Sequence, residues 1–432
     1  MGVEANAAHT DELLRRARGP GQRARALMMQ ADVEYERGAP RAQTIAEGLA
    51  CARAAGDRHT EAQLLFEDGK RLATGGELRA ARVQVKAALD LMEAAGGHDY
   101  VADKLSSLAT LDSMLGDLRA ADVAYERSRT LSLEHRIYEG QSMRLTSHAL
   151  LKLELGDADG ARARLDELAA LEAEGRVTYG AGTYRRAMLK ATLLLRLLLG
   201  EPAAALQLYL ERIEGSPDAQ DPGVAVLTAW LFDQIGRRDL SLQAVETARR
   251  GGPRNMSLVL IDALTLRDDP AAAAARWSGQ VQLEGLGDVM SRCLLNGYLA
   301  VHAPGDTGLR ALQSLCGEAR ANGWRGYLGG MLAALAELHA RRGDHAEAAA
   351  AAADAEPLLA APGMFSRAWG LLRCTSAYRL SGHADGAQRC AQAGAQLARA
   401  TALTLPPPYQ QAFLERHPVH RALLEAAQRR LG

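Results

Sequence analysis

The chain has 432 residues, with 51 basic against 52 acidic side chains and a formal net charge of −1. That balance argues against a dedicated binder of nucleic acid or of an anionic membrane surface, which would show a basic surplus or stripe. The composition is 48% hydrophobic but only 4% aromatic, and Ala and Leu, both strong helix formers, dominate it, so an all-α chain with a large core is expected. The five cysteines, at 51, 293, 316, 374 and 390, form no C-x-x-C pair and fit reduced thiols in a cytosol. The most apolar run, 189–199, contains Lys190 and Arg196 and is far shorter than the ~18 uncharged residues of a membrane span. A cytoplasmic protein without a membrane partner is expected.

Residues 1–21 read as a lead-in with one short helical pattern, Asp11 to Ala17, broken at Gly19-Pro20-Gly21. The apolar periodicity then predicts paired helices over 22–37 and 41–55, 59–73 and 77–94, 99–115 and 118–133, 137–155 and 158–173, and 181–199 and 202–213. A looser stretch, Gly215 to Pro222, precedes a sixth pair over 223–235 and 238–250. Gly251-Gly252-Pro253 is the firmest break and a candidate hinge between a first array, 22–250, and a second, 251–403. The second array holds pairs over 255–266 and 270–282, 286–301 and 307–321, 324–342 and 345–360, and 364–380 and 384–400. Residues 404–432 close the chain. Leu405-Pro406-Pro407-Pro408-Tyr409 stops the array, and two short helices over 410–416 and 419–431 form a C-terminal cap.

One motif organises the pairs. Gly116-Asp117 is followed by Ala121, Gly156-Asp157 by Ala161, Gly200-Glu201 by Ala205, Gly343-Asp344 by Ala348 and Gly382-His383 by Ala387. Gly76-Glu77 leads to Ala81 in the same way. A turn followed by a small residue at a fixed offset marks a helical hairpin, and the turns recur about every 38 residues. The small residue is expected on the inner face of the second helix, where a neighbouring helix crosses closely. A larger residue four positions later, as at Val85, Tyr125, Leu165 and Tyr209, would fill the adjoining space. A hairpin cannot bury its apolar face alone, so hairpins stack.

The Gly-Asp-x-x-x-Ala core resembles the second half of a tetratricopeptide repeat. Leu108-Ala109 and Leu335-Ala336 resemble the large-small pair of that family's first helix. The resemblance implies a right-handed superhelical solenoid of about ten hairpins with a capping helix pair, and a non-enzymatic role in protein or peptide binding. The tail, with Leu405-Pro406, Phe413-Leu414, Pro418 and Arg421-Ala422-Leu423-Leu424, resembles the segment closing the repeat region of large bacterial signal-transduction ATPases and transcriptional regulators. That likeness implies an adaptor or the sensing arm of a bacterial regulatory system.

Motifs that carry chemistry are scarce. Gly69-Lys70 lacks a Gly at 64 and a Ser or Thr at 71, so it is not a phosphate-binding loop. His339 and His345 lie six apart, which is not a metal-ligand pair on one helix face. Gly-x-Ser-x-Gly is absent, and Asp268-Asp269 before Pro270 reads as a helix cap. No cofactor, metal or catalytic constellation is expected. The resemblance places the first helices of the hairpins on a concave groove, which holds a protein or peptide partner and is compatible with self-association. The expected groove side chains are Lys104, Arg144, Tyr184, Arg185, Lys190, Trp230, Tyr298, Tyr327 and Trp369, Trp230 and Trp369 also being candidates for the core. Gly326, Gly329, Gly330 and Gly370 admit either a ligand or close helix packing. A small effector closing the superhelix is the second functional reading. The third is an enzyme assembled from distant residues, which a closed pocket with convergent carboxylates or histidines would mark.

Overall fold

The structure is a computed structural model that describes residues 3–96, 98–177, 182–252, 256–265, 269, 272, 275, 289–303 and 305–429. Among these residues every regular element is helical. The chain divides into two compact units, Met1–Arg144 and Leu145–Gly432.

In the first unit α1 (Val3–Arg16) precedes three hairpins: α2 (Pro20–Glu36) with α3 (Ala42–Ala55), α4 (Arg58–Thr74) with α5 (Leu78–Ala94), and α6 (His98–Leu115) with α7 (Leu118–Glu134). The lead-in is thus more ordered than its sequence suggests. Its helix runs 14 residues, and Glu4 pairs with Arg37 at the end of α2 at 2.8 Å.

The hairpin turns follow from local chemistry. Gly116 adopts φ 89°, a left-handed conformation that a side chain disfavours. That geometry turns the Asp117 N–H back onto the Asp112 carbonyl at 2.8 Å, closing α6 in a Schellman arrangement. Asp117 Oδ1 then accepts from Ala120 N at 3.2 Å and starts α7, so two residues end one helix and cap the next. Asp157 does the same for Gly160 N at 2.8 Å.

The small residue of each repeat is buried as expected. Ala81, Ala121, Ala161, Ala205, Ala348 and Ala387 are all fully buried. Val85, Tyr125 and Leu165 fill the space one turn on. Tyr209 is only half-buried, because α11 (Pro202–Leu208) gives way there to a π turn, Tyr209–Ile213, which rotates the ring off the repeat position and sets it edge-on to Phe232 at 5.1 Å.

Helix α8 (Gln141–Glu154) spans the division between the units. The second unit continues with α9 (Ala158–Ala173), α10 (Gly182–Leu198), α11, α12 (Pro222–Gln234), α13 (Arg238–Arg250) and α14 (Met256–Thr265). After residues 266–288 come α15 (Val289–Leu299), α16 (Thr307–Asn322), α17 (Arg325–Arg342), α18 (His345–Leu358), α19 (Arg367–Leu380), α20 (Ala384–Thr404), α21 (Pro407–Glu415) and α22 (Pro418–Gln428). The second helix expected over 270–282 and the turn residue Pro304 lie outside the described residues, except that Asp269 Oδ1 accepts from Ala272 N at 2.9 Å, the cap expected there. Pro253 also lies outside them. Gly251 sits inside the second unit, where a Cβ would strike the Pro222 ring at 2.0 Å.

The glycine cluster serves close packing. A Cβ at Gly326 would lie 1.8 Å from the Leu153 carbonyl oxygen, and one at Gly330 would lie 2.3 Å from the Phe365 ring. Gly370 abuts Leu359 in the same way. The closing helices also pack deeply. Leu405, Phe413 and Leu423 are buried, and the turn at Gly236 meets the Ala412 carbonyl so tightly that a Cβ would stand 2.1 Å from its oxygen. The capping pair therefore docks on a hairpin far back in the sequence as well as on its neighbour.

Candidate functional site

The expected groove residues fall into distinct settings. In the first unit Lys104 is buried, with its ammonium 3.6 Å from the Phe66 ring centroid and 2.8 Å from Asp103. Lys70 lies 5.6 Å from the same ring and 5.3 Å from the exposed ring of Tyr35. Arg41 lies 4.6 Å from the Tyr35 ring. Glu67 pairs with both Arg41 and Lys70 at 2.6 Å. Cations and aromatics thus alternate across α2, α4 and α6, the first helices of their hairpins, with Arg41 added from the N-cap of α3. Arg144 is buried and donates to the Glu139 carbonyl at 2.7 Å.

In the second unit Arg185 pairs with Asp218 at 3.0 Å, and Lys190 lies 3.7 Å from Asp221. The Tyr184 side chain lies outside the described residues. Tyr327 is fully buried and donates to Glu154 Oε1 at 2.7 Å.

Trp230, Tyr298 and Trp369 come together. They line one cavity of about 120 Å³ in the second unit. Its deep wall is apolar, formed by Leu197, Leu198, Leu260, Leu264 and Phe413. Exposed Gly200 and half-buried Gln234, Arg367 and Thr401 mark its mouth. The elements are built for this. Helix α12 carries a nearly continuous apolar run and is buried almost all round, as a central helix must be, and Asp221 caps it through Gly223 N and Val224 N at 3.0 and 3.1 Å. Trp230, Asp233 and Gln234 occupy one face of α12 by their i, i+3, i+4 spacing. Trp369 on α19 is steadied by Arg373, whose guanidinium lies 5.1 Å from the ring centroid and donates to the Gly297 carbonyl at 2.6 Å.

The cavity also gathers polar residues that periodicity does not mark. Asp233 is buried on α12 and lies 3.4 Å from Arg238 and 3.8 Å from His417 Nε2. His417 is buried at the start of α22. His420, one turn on, stacks between His417 at 4.1 Å and Phe413 at 4.0 Å. Its Nδ1 lies 2.9 Å from the Phe413 carbonyl oxygen. Burial foremost, and the neighbouring His417, push its pKa down to about 3, against the opposing pull of the Phe413 carbonyl and Asp233. Burial likewise lifts the Tyr298 hydroxyl to about 12. The only sequence signal for the two histidines was the Pro418-Val419-His420 helix start, which reveals a cap and not a lining.

This gathering of carboxylate and histidines is the feature an assembled active site would show. His417 Nδ1 has no hydrogen-bond partner. His420, at about 3, is too weak a base to take a proton at neutral pH. Among the described residues no group of three or more His, Cys, Asp or Glu could hold a metal ion, and no helix is long and apolar enough to cross a membrane.

The fold and cavity together define an all-α helical-repeat protein with a ligand-sized interior space. No protein-family model matches the chain, and no curated protein matches it. Solved structures similar to it include the APC/C hetero-tetramer Cut9–Hcn1, at 11% identity and a TM-score of 0.37 over 99% of this chain and 93% of that one. The P58(IPK) TPR domain is similar at 13% identity and a TM-score of 0.24, over 94% of this chain and 99% of that one. A circular tandem repeat protein with novel repeat topology is similar at 13% identity and 0.15, over 98% and 90%. At these scores the description of the fold rests on the chain's own helices and turns.

Proposed function

We propose that the chain is a non-enzymatic helical-repeat interaction module, the adaptor or sensing arm of a bacterial regulatory system, which recognises a protein or peptide partner through the first-helix face of its hairpins. The observation that supports this reading is the cation–aromatic ladder of the first unit. Tyr35 is 56% exposed and Lys70 is 40% exposed at its side chain, yet both belong to an ordered set with Arg41, Phe66 and Lys104. Exposed aromatic and cationic groups held in fixed positions are the types that anchor interfaces. The test is a pull-down from native cell lysate, comparing wild type with Tyr35→Ala/Lys70→Ala, both checked for folding by circular dichroism. A partner recovered by wild type and lost by the folded variant supports the reading. Equal recovery by both removes this face from it.

A second reading, a module that senses a small effector, is favoured by one observation: the second unit holds a cavity, open at a mouth, whose lining includes buried polar groups. Native mass spectrometry of the purified chain, showing a small molecule carried without any protein, would favour it.

A further inference from the structure

We propose that the cavity of the second unit binds one small apolar monocarboxylate, an aromatic or short aliphatic acid, with its body among the leucines and tryptophans and its carboxylate on the Arg367 guanidinium at the mouth. The proposal rests on the effector-sensing reading and names its chemistry.

Size and wall fix the body of the molecule. The cavity, about 120 Å³, is slightly smaller than an engineered apolar cavity of ~150 Å³ that takes up benzene. It therefore suits about one six-membered ring or a short alkyl chain. Leu197, Leu198, Leu260 and Leu264 supply apolar surface, and Trp230 and Trp369 supply large rings.

Arg367 then selects the head group. It is half-buried at the mouth. Its Nε donates to the Leu359 carbonyl at 3.0 Å and its Nη2 to the Ala360 carbonyl at 2.7 Å. The second of these bonds is open to solvent, so the end of the guanidinium can be reached from outside. Its remaining N–H groups make no hydrogen bond among the described residues, and both partners it has are neutral. No carboxylate among the described residues pairs with it. Burial foremost, and then the like charge of Arg162, lower its pKa, and no acidic side chain pulls the other way. Arg162 itself is matched, by Asp159 at 3.1 Å and Glu201 at 3.0 Å. Arg367 is thus a fixed cation with unused donors and no counter-charge, and a carboxylate supplies both acceptors and charge.

The other charges around the cavity leave this one uncompensated. Asp233, the one carboxylate on the described lining, lies 3.4 Å from Arg238 and so has its own counter-charge. His420, with a pKa of about 3, is neutral at pH 7. A ligand carboxylate at the mouth stays partly hydrated while its apolar body is buried, which avoids most of the cost of taking a charge into an apolar space. A cationic ligand would meet Arg367 as a like charge.

The test titrates the full chain with benzoate, with benzamide as the uncharged isostere and with benzamidine as the cationic one, by calorimetry and thermal shift. Benzoate is expected to bind about tenfold more tightly than benzamide, the worth of a hydrogen bond to a charged group, and benzamidine more weakly than either. Ala398→Leu, which fills the cavity from α20, is expected to abolish binding of all three. Arg367→Met, which keeps an apolar stem and removes the charge, is expected to leave benzamide as it was and reduce benzoate to the same level. A second readout in wild type, independent of how that variant folds, is the salt dependence: added sodium chloride should weaken benzoate and leave benzamide unchanged. Equal affinities for benzoate and benzamide, tightest binding of benzamidine, benzoate binding that survives Ala398→Leu or Arg367→Met, or a benzoate affinity indifferent to salt would each overturn the proposal, as would no binding at all, the result for a cavity holding water only. A low-molecular-weight cell extract separates the two levels of the argument. If it stabilises wild type but not Ala398→Leu while benzoate fails to bind, the sensing reading stands and this chemistry falls. If benzoate binds as expected and the extract has no effect, the chemistry stands and the sensing reading falls.

Discussion

The Tyr327 hydroxyl donates to Glu154 Oε1 at 2.7 Å, joining positions 173 residues apart. Both side chains are buried, and beside them Gly326 lets α17 approach the Leu153 carbonyl at the end of α8. Hairpins distant in sequence are thus neighbours within the second unit. Tyr327→Phe removes the donor to a buried carboxylate and should cost about 1–3 kcal/mol. Gly326→Ala should cost more, because its Cβ would stand 1.8 Å from a backbone oxygen that cannot move without shifting a helix. Urea midpoints of the two variants against wild type check both the size and the order.

The repeat alanines make a second prediction. Ala121 is fully buried, whereas Val123, two residues on, is 70% exposed. Ala121→Leu should destabilise by about 1–3 kcal/mol through overpacking. Val123→Leu should stay within about 0.5 kcal/mol of wild type. Thermal unfolding of the pair measures whether the motif position or mere size decides the outcome.

Acid should act through His420. Its folded pKa, about 3, lies below the ordinary value of about 6.5, so the unfolded chain binds this proton first. The contribution is fully present above about pH 6.5 and is lost as pH falls from there towards about 3, at roughly 1.4 kcal/mol per pH unit. Between pH 7 and pH 5 wild type should lose about 2 kcal/mol more than His420→Phe. Urea unfolding of both chains at the two pH values reads the difference directly.

Thiol labelling should separate the cysteines. Cys51 is half-buried, while Cys293, Cys316, Cys374 and Cys390 are buried. Burial lifts Cys293 well above the ordinary thiol value and Cys316 to about 12, which suppresses the reactive thiolate. With a disulfide reagent at pH 8 the folded chain should react rapidly at Cys51, and the other four should follow only in denaturant. Mass spectrometry of labelled peptides identifies the sites. Rapid labelling of Cys374 or Cys390 in the folded chain would contradict the packing of α19 on α20.

The hairpins are legible in the sequence. Turn glycines such as Gly116, the capping aspartates and the buried alanines act through chain neighbours a few residues apart, so their physics is written locally and survives without tertiary knowledge. The sequence also marked Trp230, Tyr298 and Trp369, as aromatics expected on the groove face of first helices, the two tryptophans being candidates for the core as well. That these three share one cavity, joined by Asp233, His417 and His420, follows from the packing of distant helices. That convergence depends on how the closing helices α21 and α22 dock at the Gly236 turn, on a carbonyl almost 180 residues away in the chain. No local periodicity encodes such a contact, since it arises from shape matching between surfaces that exist only once the hairpins have stacked. For the same reason Lys104 and Arg144, expected on the groove of the first helices, lie buried against Phe66 and a loop carbonyl. Spacing along a helix tells which residues share a face, and tertiary packing decides what that face meets.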